Sequence, residues 1–318
     1  MSSPAPVRAL GTRDRVIVAL WALGAFVLVT WRFGFGWPGF IVIGLATGLV
    51  FSHDRSLRGA LVVTRDWIGL FAFLTAYGAS RAIADGVGMP WQEQSVIAID
   101  EVLGLGETWV HRTQEWIDWD AEPVWWEVTF PLVYVTHFLF SMAALMFLYV
   151  TDRTRWRGFM RRWVTLSGVG LVGYVLLPTV PPWMASENGT VDPVYEGIPR
   201  GWSYVDGQAI ADLLEFGRDT INPVAAMPSL HAAYPMLLLL FFAPTRGAIG
   251  RFLLWAYCLH MGITVVITGQ HWLIDVIAGW GCALAVHAFW SRREERVDHE
   301  SPPSEAPPQA RVRTAVPA

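Results

Sequence analysis

At 318 residues, with 53% hydrophobic, 14% aromatic and only 16% charged side chains, the chain is too apolar for a soluble domain of its length. The net charge of −4 says little about partners, and no nucleic-acid partner is expected. The composition is that of a polytopic membrane protein. Every basic residue is arginine. Both cysteines, Cys258 and Cys282, fall inside apolar runs and read as small buried side chains rather than a disulfide.

In chain order, residues 1–15 form a polar tail carrying Arg8, Arg13 and Arg15. Apolar runs follow at 16–32, 36–51, 66–80, 126–150, 163–178, 229–243, 252–268 and 272–290. Several are shorter than the ~20 residues of a full span, so flanking residues must extend them. The fold expected is all-α: a polytopic transmembrane bundle of about eight spans. The tail at 1–15 is expected to precede a transmembrane pair over 16–62 and a larger membrane domain over 63–291. The tail at 292–318 is rich in Pro, Glu and Ala, lacks an apolar period, and is expected to be disordered.

Arginine placement sets the orientation. Arg55 to Arg65, then Arg153, Arg155, Arg157, Arg161 and Arg162, then Arg246 and Arg251, then Arg292, Arg293 and Arg296, all fall on the side of the N-terminus if the spans number eight. The positive-inside rule puts that side, with both termini, in the cytoplasm of a cell at its plasma membrane. The long segments 81–125 and 179–228 then lie outside. The first is rich in tryptophan. Trp109, Val110, Trp116 and Ile117 share a helical stripe, with His111, Arg112, Gln114 and Glu115 off it, which reads as an amphipathic helix in the membrane interface. The second, punctuated by Pro and Gly, is expected to be an ordered loop with a short helix near 207–216 that shapes a pocket.

Two stretches carry the chemistry. The first is Met227-Pro228-Ser229-Leu230-His231-Ala232; the second is Gly269-Gln270-His271-Trp272-Leu273-Ile274-Asp275. Each sits where an apolar run meets the outer face, a place where ionisable groups are costly and usually functional. His271 and Asp275 are four residues apart and share a helical face, so the carboxylate can fix the imidazole tautomer and leave the other nitrogen free to attack. Pro228 suits the first helical turn, and the helix start with the Ser229 hydroxyl offers donors to an anion. Two imidazoles, a carboxylate and a helix N-terminus suit phosphoryl transfer.

These blocks, Pro-Ser-x-His at 228–231 and His-x-x-x-Asp at 271–275 with Gly279 after, resemble the signature of the type 2 phosphatidic acid phosphatase (PAP2) superfamily. The resemblance implies His271 as nucleophile, Asp275 as its orienting carboxylate, His231 as general acid, a six-helix catalytic core and no metal or cofactor. The chain departs from that pattern. Thr264 and Val265 stand where the family has Ser-Arg, and no lysine exists to form its Lys-x6-Arg-Pro block. The stretches Ala76 to Arg81, Tyr134 to Phe138 and Leu177-Pro178-Thr179-Val180-Pro181-Pro182-Trp183 resemble the branch of inositol phosphorylceramide synthase-type phosphotransferases.

Arginine must replace the missing phosphate clamp, because a guanidinium binds two oxygens at once. Arg81 is the first choice because its stretch resembles the related branch, then Arg218 and Arg200 in the long loop, with Gly269 and Gln270 beside the nucleophile. His137, Asn222 and Trp183 are assigned to the surroundings of the site, and His260 and His287 to the bundle's own hydrogen bonds. The partner expected is a membrane lipid, a phospholipid or polyprenyl phosphate, with a second lipid as acceptor if the reaction is a transfer. Two alternatives stand beside this: a metal-dependent hydrolase using His231, His271 and Asp275 as ligands, and a non-catalytic lipid-binding or transport protein on the same scaffold. The sequence does not set the oligomeric state.

Overall fold

The computed structural model describes residues 61–63, 65–67, 69–70, 72–73, 76, 88–205, 207 and 223–300. The apolar runs at 16–32 and 36–51, the helix expected near 207–216 apart from its first residue, and residues 301–318 of the tail lie outside the described residues; residues 292–300, expected to be disordered with the rest of that tail, are instead helical, continuing the last apolar run. Among the described residues the elements beyond residue 88 are helical: α1 (Gln94–Leu103), α2 (Trp109–Gln114), α3 (Thr129–Thr151), α4 (Arg153–Leu176), α5 (Pro182–Glu187), α6 (Gly197–Ser203), α7 (Leu230–Phe242), α8 (Ala248–Ile267) and α9 (Leu273–Glu300). Two of these are long and apolar enough to cross a membrane, α8 and the Leu273–Arg296 part of α9. A third is α3 if its halves, bent by 47° between His137 and Leu139, form one span. The run at 229–243 yields the 13 residues of α7, roughly 20 Å of helix against a hydrocarbon core of about 30 Å.

The long helices alternate in direction, so their connections gather at two ends. At one end a single residue, Asp152, separates α3 from α4. Its carboxylate accepts the backbone N–H groups of Thr154 and Arg155 at 3.0 and 2.9 Å, an N-cap that starts α4 at once. At the same end buried Arg162 of α4 holds Glu294 of α9 with both terminal nitrogens, at 2.8 and 2.7 Å. Arginines lie over aromatic faces around it: Arg155 over Phe241 and Phe242, Arg161 and Arg293 over Trp290. Between the ends the bundle is filled by large side chains, among them Phe159, Trp163, Leu166, Leu237 and Leu145. The helical residues between 61 and 76 add Val63, Trp67 and Leu70 to this core.

The opposite end is built from the long segments. The loop after α4 forms a parallel bridge from Thr179 to Gln92 on one side and to Ala225 on the other. That single residue ties the entry to α1 and the entry to α7 to one backbone. The Trp-rich segment differs from the helix expected of it. Helix α2 stops at Gln114, and Gln114 is buried, with its amide donating to the carbonyls of Tyr195 and Ile267 at 2.7 and 2.9 Å and accepting from the Tyr195 N–H at 3.0 Å. Trp116, placed on the apolar stripe by its spacing, is exposed, as are Trp91 and Trp125. Periodicity assigned Gln114 to the wet face because it counts polarity and cannot see three buried backbone groups that need a partner.

Candidate active site

The first block is wedged between two helices through glycines. On α4, a Cβ at Gly170 would lie 2.8 Å from Leu230, and one at Gly173 would overlap Pro228. On α9, a Cβ at Gly279 would overlap the Ser229 carbonyl. Small residues at these three places let the backbone of 227–230 approach both helices closely, as membrane helices commonly do. Pro228, joined to Met227 by a cis peptide, lies one residue before the cap rather than in the first turn. Ser229 is the N-cap of α7, fully buried, and its hydroxyl accepts the Ala232 N–H at 3.3 Å. Its own N–H donates to the Asp275 carbonyl at 3.0 Å, so the two blocks are bonded backbone to backbone.

The second block begins with a helix stop. Gly269 takes φ +73°, its N–H donates to the Val266 carbonyl at 2.9 Å, and the Gln270 N–H donates to the Val265 carbonyl at 3.0 Å. This is the Schellman arrangement, in which the left-handed residue is normally glycine. The chain then turns directly into α9. Trp272 is buried with its indole N–H donating to the Val180 carbonyl at 2.8 Å, and the Trp183 N–H donates to the Gly269 carbonyl at 3.1 Å. The Pro-Pro-Trp stretch therefore brackets the turn that carries His271.

The exposed donors at the start of α9 are met by two carboxylates. Asp275 Oδ2 accepts the Trp272 N–H at 3.0 Å, reaching back from the first turn as in a capping box. Asp100, on α1, accepts the Leu273 and Ile274 N–H groups at 2.8 and 3.4 Å on one oxygen and the Trp109 N–H at 2.8 Å on the other. Burial raises the Asp100 carboxyl above its ordinary range, the three N–H groups oppose that rise, and the nearby Asp275 adds to it. Asp100 went unassigned in the sequence. The signal was there: Val96, Ile97 and Asp100 are three or four residues apart, so the carboxylate sits on the buried face of an apolar stripe.

The three expected reacting groups meet at this end. His271 Nδ1 lies 3.4 Å from Asp275 Oδ2, an ion-pair distance longer than a formed hydrogen bond. His271 Nε2 lies 3.3 Å from His231 Nδ1. Asp275 is fully buried and His271 is 6% exposed, whereas His231 is half-buried, so access to the pair is from the His231 side. The His231 ring stacks on Tyr134 with centroids 4.4 Å apart and 20° between planes, and its centroid is 4.0 Å from that of His137. His137 Nδ1 is 2.7 Å from the Tyr134 carbonyl, which sets Nδ1 as its N–H and leaves Nε2 to accept.

The remaining candidates fall in different places. Arg200 is held by the buried Glu127 at 2.6 Å and by the carbonyls of Trp119 and Asp118 at 3.2 and 3.0 Å, fastening α6 to the Trp-rich segment. Gln270 bonds weakly to the Thr268 carbonyl at 3.4 Å. His260 meets the Thr129 hydroxyl at 3.2 Å, a bond between α8 and α3. Arg81, Arg218 and Asn222 lie outside the described residues.

Residues 94–289 match the family model of the PAP2 superfamily, and the chain belongs to that superfamily. A curated relative, the phosphoinositol dihydroceramide synthase of Bacteroides thetaiotaomicron, is 31% identical over 134 residues. That match covers 38% of this chain and 41% of the relative, so the shared part is well under half of either. No solved structure matches.

Proposed function

We propose that the protein is an integral membrane phosphatase or headgroup phosphotransferase that acts on a lipid phosphate or phosphodiester through a phosphohistidine at His271, on the extracytoplasmic face. The observation that carries this is the line Asp275 Oδ2, His271 Nδ1, His271 Nε2, His231 Nδ1, with spacings of 3.4 and 3.3 Å at its two gaps. Asp275 favours the tautomer with the proton on Nδ1, which leaves the Nε2 lone pair toward the accessible side. Nε2 attacks phosphorus, and the bond to the leaving oxygen breaks as His231 gives that oxygen a proton. The leaving oxygen departs opposite Nε2 in an in-line displacement. The 3.3 Å contact between the rings must therefore open when the phosphoryl group enters. His231, now neutral, next takes a proton from water or from a lipid hydroxyl, whose oxygen attacks phosphorus and frees His271.

Water as acceptor makes the enzyme a phosphatase; a lipid hydroxyl makes it a transferase. The name of the Bacteroides relative and the Pro-Pro-Trp stretch beside the turn favour transfer of an alcohol-phosphate headgroup. Among the described residues no three His, Cys, Asp or Glu side chains are placed to hold one ion; chelator in the assay separates the metal-dependent reading from this one. Arg81 and Arg218 are the arginines proposed for the phosphoryl oxygens, because Arg200 is already committed to Glu127. The arginine-rich end of the bundle supports a cytoplasmic placement for that end, which leaves the histidines outside.

The test is phosphate release from a panel of lipid phosphates and diphosphates, and headgroup transfer from phospholipids to a ceramide or diacylglycerol, by purified protein in detergent with chelator present. Turnover in one of the two assays, lost in His271→Ala, is expected. Turnover that requires an added divalent metal would overturn the mechanism, and none in either assay with folded protein would favour the binding reading.

A further inference from the structure

We propose that Asp100 is a positioning residue for the nucleophile: from helix α1 it fixes the first turn of α9 so that His271 and Asp275 hold their relative geometry. The proposal rests on the phosphohistidine reading above. His271 lies between two fixed points. Before it, the Schellman turn closes α8. After it, the backbone N–H groups of Leu273 and Ile274 end on Asp100 Oδ1. The remaining donor at this start, the Trp272 N–H, is taken by Asp275 Oδ2, the same oxygen that faces His271 Nδ1.

One carboxylate oxygen therefore serves both the helix start and the imidazole. Without Asp100 the Leu273 and Ile274 N–H groups would lose their acceptor, and the first turn that holds Asp275 Oδ2 between the Trp272 N–H and His271 would lose its anchor to α1. Asp100 is itself anchored by the Trp109 N–H on its second oxygen, and it is fully buried, so its position is set by α1 and α2 rather than by solvent. A buried carboxyl raised by desolvation is a costly cap. Its value in the fold lies above the unfolded-state one, so the stability linked to it is greatest below the unfolded-state value and declines as pH rises through the folded one.

The experiment measures kcat and KM for the lipid substrate that wild type turns over, with thermal midpoints, on the full chain. Asp100→Asn keeps size and one acceptor oxygen but gives up the second. It is expected to lower kcat about 100-fold, the scale of a misplacement near 1 Å, with KM changed less than about 2-fold. A wild-type kcat would overturn the proposal, as would a kcat and KM that worsen together with a lowered midpoint. A second pair decides the matter if Asp100→Asn does not fold. Leu273→Pro removes the stronger of the two α9 N–H groups that Asp100 accepts, at a position where helices tolerate proline, and Leu273→Ala controls for the side chain. Proline is expected to lower kcat about 10-fold below alanine, since part of the cap survives through Ile274; equal rates overturn the proposal. His271→Ala runs alongside. If it stays active, the phosphohistidine reading fails whatever Asp100 does; if it is dead while Asp100→Asn is normal, only the present proposal fails.

Discussion

Replacing His231 with alanine is expected to slow turnover of a lipid substrate by about 10²–10⁴-fold, the usual contribution of a general acid. It is not expected to abolish the first chemical step when the leaving group departs without a proton. With an aryl phosphate donor, His231→Ala should give a burst of one equivalent of phenolate per enzyme and then slow turnover. The reason is microscopic: the residue that protonates the leaving oxygen is also the base for the incoming hydroxyl, so its loss spares an easy departure and stalls the second step. His271→Ala should give no burst with either donor, because the nucleophile itself is missing. Stopped-flow absorbance at the phenolate band reads both. The structure makes the distinction possible: His231 is the half-buried member facing the accessible side, and His271 is the buried one backed by Asp275.

Gly279→Ala is expected to be nearly as damaging, although residue 279 carries no reacting atom. Its Cβ would overlap the carbonyl of Ser229, which is backbone and cannot swing aside. Helix α7 must move away from α9, and overpacking of this kind costs about 1–3 kcal/mol. The larger effect is on rate. Ser229 and Asp275 are bonded backbone to backbone, and the same shift separates His231 from His271. A displacement near 1 Å lowers kcat by about 100-fold. Gly281→Ala is the control, because nothing lies within 4 Å of a Cβ there. Thermal melts and kcat for the two variants check this: a Gly279→Ala enzyme with the rate of Gly281→Ala would contradict the packing described.

Much of the candidate site's geometry was legible because its pairings are local. His271 and Asp275 are one helical turn apart, and Ser229 and His231 begin the helix that the sequence places there, so spacing alone brought each block to the right end of its helix. The helices α8 and α9 were legible for a similar reason: long apolar stretches with glycine or polar residues between them. What joins the blocks was not legible. The contact of Gly279 with the Ser229 carbonyl spans fifty residues of chain, and the Asp100 cap on α9 spans 173. Such pairings leave no periodic trace. Tyr134, which stacks on His231, was quoted only as part of a resembling stretch, because an aromatic residue in an apolar run looks like any other core side chain. Arg200 has a partner that its sequence context does not show. A loop arginine near a phosphate-type site invites a binding role, but the sequence does not reveal that Glu127 is buried beneath it and needs the charge.

The central claim is covalent attachment of phosphorus to His271. The most direct measurement uses purified His231→Ala protein, an activated donor labelled in its phosphoryl group, and a chelator, followed by an alkaline detergent quench and peptide mapping. A stoichiometric label on the peptide containing His271, released by acid as a phosphoramidate is, and absent when His271 is also replaced, is the expected result. Product formation with no label at any time, or a label on another residue, would contradict it.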